Sequence, residues 1–260
     1  MVDANIHETA IISRTAEIER GVEIGPYTVI GDDVKIGTGT SIGAYAHLEG
    51  PAELGKNNIF GQGVSIGLPP QSMDHEEKDC FLAMGDSNEV RDYVSIHRGP
   101  VEVNGGTSVG NNNFFQRYSH IAYNCEVGDN VYMDYSASLA DNVFVGDSVY
   151  CGKLSGVHQQ VRVGRLARID EHTKVIKDVP PFIYVLGHPA RVKSLNKEGM
   201  KKFGLPGEER EKIKKLFELI YENERNLSQA VARVRKELEV KGVIEEFLEF
   251  LKDSKRGVCT

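Results

Sequence analysis

Every sixth residue in the first quarter of the chain is aliphatic or aromatic. The positions are Ile6, Ile12, Ile18, Ile24, Ile30, Ile36, Ile42, Leu48, Leu54, Phe60 and Ile66. The residues between them are mostly Gly, Asp, Asn, Thr and Ser. A period of six matches neither the 3.6-residue period of a helix nor the two-residue alternation of an isolated strand. The pattern indicates short units that bury their apolar residues only by stacking on one another.

A six-residue unit with one large apolar residue suits one flat side of a parallel β-helix. The apolar side chain points inward, the polar residues face outward, and three units complete one triangular coil. The period resumes at Met84, Val90 and Ile96, and then runs without a fault from Val109 to Val175. The 26 positions, at three to a coil, predict about nine coils.

Two interruptions of the period predict loops that leave the β-helix, at residues 68–83 and 97–108. Long loops on a rigid scaffold often carry function. We expect the solenoid to end at Asp178-Val179-Pro180-Pro181, because tandem prolines cannot continue a hydrogen-bonded ladder. The predicted organisation is a β-helical domain over residues 1–190 and an α-helical domain over residues 191–260.

Helical signals begin at Asn196. Pro206-Gly207-Glu208-Glu209 places a proline and acids at a helix start, and an apolar stripe follows at Ile213, Leu216, Phe217 and Ile220. A second helix is expected after Asn226, and a last short one from Val243 to Leu251. Together these helices form a cap on the solenoid.

Composition narrows the class of protein. The net charge of −7 and the pI of about 5.7 argue against a nucleic-acid partner. The four cysteines show no CxxC spacing, which favours reduced thiols, and no metal site is predicted. No apolar run has the length of a membrane span, and the first residues lack the features of a signal peptide. We therefore expect a soluble, cytoplasmic protein.

Several local motifs lie on this scaffold. They are Ser65-Ile66-Gly67 with Pro70-Gln71, Ile96-His97-Arg98-Gly99, His120-Ile121-Ala122, Val157-His158-Gln159, Asp178-Val179-Pro180-Pro181, and Asn196 with Glu198-Gly199. The motifs, the two loops and the helical cap resemble the acyl-carrier-protein-dependent UDP-N-acetylglucosamine O-acyltransferases of lipid A synthesis. The resemblance covers essentially the whole chain and implies a left-handed parallel β-helix.

The resemblance implies a homotrimer with active sites in clefts between neighbouring solenoids. A 3-hydroxyacyl chain would pass from the thioester of acyl carrier protein to a UDP-linked amino sugar. No bound cofactor is implied, and acyl-CoA is the alternative donor. Such chemistry needs a base for the sugar hydroxyl, donors for the oxyanion and a groove for the acyl chain.

The sequence departs from the family at the catalytic motif. The family pattern His-Ile-Ala-His-Asp-Cys reads here from His120 to Cys125, with Tyr123 at the position of the general base and Asn124 at the position of the carboxylate that orients it. A phenol, with an ordinary pKa of about 10, is a poor base at neutral pH. His120 is an alternative base, or it positions substrate. Asp141 replaces the glycine whose backbone amide serves the oxyanion.

The family pattern also assigns substrate-binding positions. These are Gln71, Ser72, Asn142, His158, Gln159, Glu171, Asn196, Glu198, Lys201 and Lys202. Ser72 replaces an acid that contacts the sugar, and Asn142 replaces a histidine. Glu171 stands at a position governing acyl length, where a carboxylate in an apolar groove is costly.

Three functions are compatible with the residues. The first is an acyltransferase of the family type with an altered active site. The second is a non-catalytic trimeric paralogue that binds a nucleotide sugar or a protein. The third is an acetyl-CoA-dependent sugar N-acyltransferase, whose amine acceptor needs less from a base.

Overall fold

The chain forms a parallel β-helix of triangular cross-section, followed by a group of short helices. The fold is taken from a computed structural model of the chain, which describes residues 4–71, 79–103, 105–222 and 226–260. Three sheets, here called A, B and C, form the three sides of the β-helix. Nearly all their strands are two or three residues long, as expected for one flat side of a six-residue unit.

Sheet A contains eleven strands. They are β1 (Asn5–Ile6), β4 (Glu23–Ile24), β7 (Ser41–Ile42), β10 (Ile59–Phe60), β13 (Glu89–Val90), β17 (Phe114–Phe115), β20 (Tyr132–Met133), β23 (Tyr150–Cys151), β26 (Arg168–Ile169), β28 (Ile183–Gly187) and β29 (Ala190–Leu195).

Sheet B contains nine strands. They are β2 (Ile11–Ile12), β5 (Val29–Ile30), β8 (His47–Leu48), β11 (Ser65–Leu68), β14 (Ser95–His97), β18 (His120–Ile121), β21 (Ser138–Leu139), β24 (Gly156–Val157) and β27 (Lys174–Val175).

Sheet C also has nine strands. They are β3 (Glu17–Ile18), β6 (Val34–Ile36), β9 (Ala52–Leu54), β12 (Cys80–Met84), β16 (Thr107–Val109), β19 (Glu126–Val127), β22 (Phe144–Val145), β25 (Arg162–Val163) and the short β15 (Gly99–Pro100), which pairs antiparallel with β12.

The six-residue period sets the register of all three sheets. Each apolar anchor pairs with the anchor one coil away, as Ile96 does with Ile121 and Leu139 with Val157. The anchors form one continuous buried core, which confirms the predicted β-helix. The exception is the first coil, where Ile6 is 39% exposed because no coil lies beneath it.

The predicted end of the solenoid at the tandem prolines is wrong by one strand. Val179 still bridges to Val163, and β28 stacks in parallel on β26 after the prolines. Pro181 lies in a turn at a corner, where no ladder hydrogen bond is needed, so the prolines do not interrupt the sheets. The β-helix ends instead where β29 turns back antiparallel on β28.

The helices begin at Lys197, directly after Asn196, whereas residues 191–195 of the predicted α-helical domain still belong to β29. Its elements are α1 (Lys197–Lys202), α2 (Gly207–Phe217), a π-helical segment (Glu218–Glu222), α3 (Leu227–Glu237) and α4 (Val243–Asp253). Asn196 caps α1 and Asn226 caps α3, each accepting a backbone N–H in its side chain. Within the described ranges, no helix is long and apolar enough to cross a bilayer.

Candidate active site

Four of the predicted site residues meet at one hollow on the outside of the β-helix. The hollow has a volume of about 350 Å³ and is lined by Gln71, His120, Tyr123 and Asp141. His120 comes from sheet B, and Tyr123 and Asp141 come from the corner that leads from sheet B to sheet C. Gln71 follows β11, at the start of the first predicted loop, and lies beside strands of later coils.

His120 is held by a serine of the coil below. Nδ1 of His120 lies 2.7 Å from the hydroxyl of Ser95, and its strand pairs with β14 so that the two residues are register partners. In the described part of the chain, this is the only hydrogen bond of the ring. Burial, and secondarily the charge of His97, lowers the pKa of His120 below its ordinary value of 6.5. The imidazole is therefore neutral at pH 7 and can accept a proton.

Residues 97–101 form hydrogen bonds with both described ends of the first predicted loop. Nδ1 of His97 donates to the carbonyl of Pro69 at 2.6 Å, and the backbone N–H of Arg98 donates to the carbonyl of Leu68 at 3.0 Å. At the other end, the backbone N–H of Val101 donates to the carbonyl of Asp79 at 2.6 Å. These contacts fix where the excursion leaves and rejoins the β-helix.

Arg98 is a buried cation beneath this loop. Its guanidinium donates to the carbonyl of Gly67 and lies 3.3 Å from the carboxylate of Glu49. The side chain of Arg98 is only 5% exposed, whereas that of Glu49 is 34% exposed. The pair belongs to two different coils and ties the start of the excursion to the coil below.

Asn124 points away from the hollow into the corner. The residue is 4% exposed, its backbone N–H donates to the hydroxyl of Thr107, and its side-chain nitrogen lies 3.4 Å from Oδ1 of Asn142. Asn142 in turn donates to the carboxylate of Asp141 at 2.9 Å. The amide at the family's carboxylate position is therefore used to link neighbouring coils.

The backbone of Asp141 can serve a developing oxyanion. Among the described residues, its N–H donates to no backbone or side-chain acceptor. Asp141 lines the hollow together with His120. A free amide beside a candidate base is the arrangement that acyl transfer requires.

The other predicted substrate-binding residues of the β-helix lie outside this hollow. His158 lines a separate hollow with His172, Lys174 and His188, and this hollow meets the first one at Val157. Gln159 is exposed, one coil beyond Asp141. Glu171 is not enclosed in a groove within one chain, since its side chain is 53% exposed and lies 3.9 Å from Nζ of Lys153. Ser72 lies outside the described residues.

Asn196, Glu198 and Lys202 line a different hollow, of about 510 Å³, against sheet A. Asn196 is largely used by the fold, since it caps α1 and donates to the carbonyl of Leu166. Glu198 pairs with Arg168 at 2.9 Å. Lys202 lies over the ring of Phe203 at 5.5 Å. The exposed Lys201 does not line this hollow.

The floor of the hollow lined by Glu198 is a column of aromatic rings. Phe114, Tyr132 and Tyr150 stack at centroid distances of 5.2 and 5.4 Å, and Arg168 continues the column over Tyr150 at 5.2 Å. Sequence reasoning missed this column, although its signal is present. The four outward residues are spaced by 18, which is one coil, and each precedes an inward anchor.

The hollow lined by His120 and the hollow lined by Glu198 lie on opposite sides of the same chain. The first is at the corner between sheets B and C, and the second is on sheet A, the side opposite that corner. One chain cannot bring both sets of residues to one ligand. In the described part of the chain, no group of three His, Cys, Asp or Glu side chains is arranged to hold a metal ion.

A larger groove, of about 620 Å³, lies between sheet C and α4. It contains none of the residues that the sequence predicts for the site. Arg165 and Glu246 form a two-contact ion pair across it, at 3.0 and 2.8 Å. The groove marks the seam between the β-helix and the helical cap.

The repeats and the site define the class of protein, the hexapeptide-repeat transferases. Residues 15–50 and 33–67 match the family model described as bacterial transferase hexapeptide (six repeats). Residues 178–259 match the model described as Udp N-acetylglucosamine O-acyltransferase, domain 2.

Relatives and solved structures match over the whole chain. The acyl-[acyl-carrier-protein]–UDP-N-acetylglucosamine O-acyltransferase of Thermodesulfovibrio yellowstonii is 39% identical, with 98% of both chains covered. That of Syntrophobacter fumaroxidans is 38% identical, with 97% of this chain and 98% of its own covered. The crystal structure of the Moraxella catarrhalis enzyme superposes with a TM-score of 0.93 at 30% identity, covering 98% of this chain and 99% of that one. The chain belongs to the UDP-N-acetylglucosamine O-acyltransferase family.

Proposed function

We propose that the protein transfers an acyl group from the thioester of an acyl carrier protein to a hydroxyl of a UDP-linked amino sugar. Full-length relatives carry this activity in their names, at up to 39% identity. The observation that carries the proposal is His120, which forms a hydrogen bond with Ser95 and lines the same hollow as Gln71 and Asp141.

His120 is the general base of the proposed reaction. When its Nδ1–H donates to Ser95, the lone pair of Nε2 is left to accept a proton. The sugar hydroxyl loses its proton to Nε2 as its oxygen attacks the thioester carbonyl. The N–H of Asp141 donates to the oxyanion, the C–S bond then breaks, and His120 returns the proton to the leaving thiolate.

Tyr123 has a binding role in this scheme. It lines the hollow beside His120, at the position where the family carries a histidine. A phenol can donate a hydrogen bond to the sugar or to the acyl carbonyl without giving up its proton. We assign Asn142, His158, Gln159 and Glu171 to the outer parts of the acceptor and donor sites.

A complete site needs more than one copy of the chain. Asn196, Glu198 and Lys202 lie on the side of the β-helix opposite His120. Contact between sheet A of one copy and the B–C corner of the next is heterologous, and such contacts form a ring when the rotation between copies closes. We therefore propose a homotrimer in which a neighbour supplies these three residues. We also place the protein in the cytoplasm, in keeping with the buried thiols of Cys125, Cys151 and Cys259.

The test is a transfer assay with the purified protein. UDP-N-acetylglucosamine is incubated with a panel of acyl thioesters on acyl carrier protein and on coenzyme A, and acylated sugar is sought by mass spectrometry. Product from a carrier-protein donor, lost in His120→Ala, supports the proposal. Binding of the nucleotide sugar with no product from any donor would instead support a non-catalytic paralogue.

A further inference from the structure

The side chain of His97 contacts both the proposed base and the first predicted loop. Its ring lies against that of His120, with centroids 5.4 Å apart and planes at 68°, an edge-to-face arrangement that aromatic rings favour. Its Nδ1 donates to the carbonyl of Pro69 at 2.6 Å, and Pro69 is two residues before Gln71. One side chain therefore links the base to the segment that carries Gln71.

A bulge in sheet B brings the loop to His97. The strands β11 and β14 pair in register until the pairing skips Gly67, and Leu68 then pairs with His97. Gly67 has a φ of 74°, and a Cβ at this position would clash with the backbone carbonyl oxygen of Glu49, so only glycine fits. The carbonyl that follows Leu68, that of Pro69, is thereby the one that accepts from His97.

Strand β14 holds the ring of His120 at two points. The hydroxyl of Ser95 lies 2.7 Å from its Nδ1, and His97, two residues farther on and on the same face of the strand, packs against the ring. His97 is 6% exposed and does not line the hollow that His120 lines. It therefore acts on its neighbours rather than on a bound substrate.

We propose that His97 is a positioning residue that couples the first predicted loop, with Gln71, to the base His120. The inference rests on the proposed function, in which Gln71 helps to bind the acceptor and His120 takes its proton. The hydrogen bond to Pro69 fixes the start of the loop, and the ring contact fixes the imidazole of His120. Together they hold the acceptor hydroxyl and Nε2 of His120 in one geometry.

The two contacts use different parts of the side chain, so two substitutions separate them. His97→Asn keeps an N–H close to the position of Nδ1 and loses the ring, whereas His97→Phe keeps a ring against His120 and loses the donor. The same two changes at His7, which is exposed in the first coil, are the controls. Circular dichroism and thermal unfolding check the fold, and all measurements are made below the unfolding transition of each variant.

Three quantities are measured for each variant. Steady-state kinetics give the turnover number and the KM for UDP-N-acetylglucosamine, and calorimetry gives the Kd for the same sugar. The rate at which diethyl pyrocarbonate carbethoxylates His120, followed by mass spectrometry of the peptide that contains it, reports how well its ring is held and covered without any need for turnover.

We expect His97→Asn to lower the turnover number about tenfold, with little change in KM or Kd, and to speed the carbethoxylation of His120. We expect His97→Phe to raise KM and Kd about fivefold, with the turnover number and the carbethoxylation rate close to those of wild type. The His7 variants should match wild type in all three quantities.

The same loss of turnover number and rise in KM in both His97 variants would overturn the proposal, because a histidine needed only for the fold gives no such split. No effect of either variant, or equal effects of the His7 variants, would also overturn it. If wild type transfers no acyl group from any donor, the proposed function fails. The carbethoxylation rates and Kd values then still decide whether His97 holds His120 and the loop.

Discussion

Ser95 and His120 are register partners in adjacent coils, and their side chains lie 2.7 Å apart, hydroxyl oxygen to Nδ1. The hydroxyl can fix the tautomer in which Nε2 carries the lone pair. In the proposed reaction it would take the place of the carboxylate in the family motif. Ser95 and His120 both lie on sheet B, whereas Tyr123 and Asn124 lie in the corner that directly follows the strand of His120.

The first prediction concerns this pair. His120→Asn removes the base, and we expect the turnover number to fall by about 10²–10⁴. Ser95→Ala keeps the imidazole but removes the hydroxyl that orients it. We therefore expect the turnover number to fall less, by about tenfold, with little change in KM. Steady-state kinetics of the transfer reaction measure both. If Ser95→Ala raised KM alone, Ser95 would be a substrate contact.

The second prediction is the pH dependence of the same reaction. Burial lowers the pKa of His120 below 6.5, so the neutral, active form persists at pH 7 and is lost only as the pH falls through that lowered value. Activity should be flat from pH 7 to 8 and should decline below 6.5. An acid limb centred above pH 7 in a profile of turnover number would contradict the assignment of His120 as the base.

The third prediction tests the core of the β-helix. Ile121 is fully buried, whereas Ile11, also in sheet B, is 66% exposed. Ile121→Ala leaves a cavity that stacked coils cannot close, so we expect a loss of about 2–5 kcal/mol in the free energy of unfolding. Ile11→Ala should change it by less than about 0.5 kcal/mol. Urea unfolding followed by circular dichroism measures both, and similar losses would refute the assigned register.

The fourth prediction concerns the ion pair beneath the first loop. Arg98→Met removes the guanidinium beside Glu49, which keeps only His47 at 3.9 Å, and frees the carbonyl of Gly67, so we expect a loss of about 2–3 kcal/mol in stability. Because Gln71 lies just beyond Gly67, KM for the acceptor should also rise. Glu49→Gln is the milder control, since an amide oxygen still accepts from Arg98. A stable Arg98→Met variant with normal KM would show that the pair does not position the loop.

The six-residue pattern was sufficient to predict the β-helix, because each anchor specifies both its side and its coil. It also predicted that His120 faces outward, since Ile121 points in. It could not show that Ser95 contacts His120. The two residues are 25 positions apart rather than 18, because the second excursion lies between them. Only the pairing of β14 with β18 brings them together.

The role of Asn124 was likewise beyond the sequence. A residue at the family's carboxylate position suggests a partner for Tyr123, but the side chain of Asn124 is buried against the neighbouring coil, with its nitrogen 3.4 Å from Oδ1 of Asn142. The sequence also did not predict that Asn196, Glu198 and Lys202 lie away from His120. These three residues follow the last repeat, so the six-residue count does not assign them to a side of the coil.

The last prediction returns a histidine to the family's position. Tyr123→His places an imidazole in the hollow beside His120, and we expect the turnover number to rise at least about tenfold, because an imidazole is the better base at neutral pH.

Adding Asn124→Asp should not raise the turnover number further. Asn124 is 4% exposed and donates toward Oδ1 of Asn142, and an aspartate there would bury a charge and lose that donor. We expect the double variant to unfold at lower temperature than the single one. Steady-state kinetics and thermal unfolding of both variants test these expectations. The contrary outcome is a double variant that is more active than the single one and equally stable. It would mean that the side chain at position 124 can turn toward residue 123. The family's pair, rather than Ser95 and His120, would then be the arrangement that this site favours.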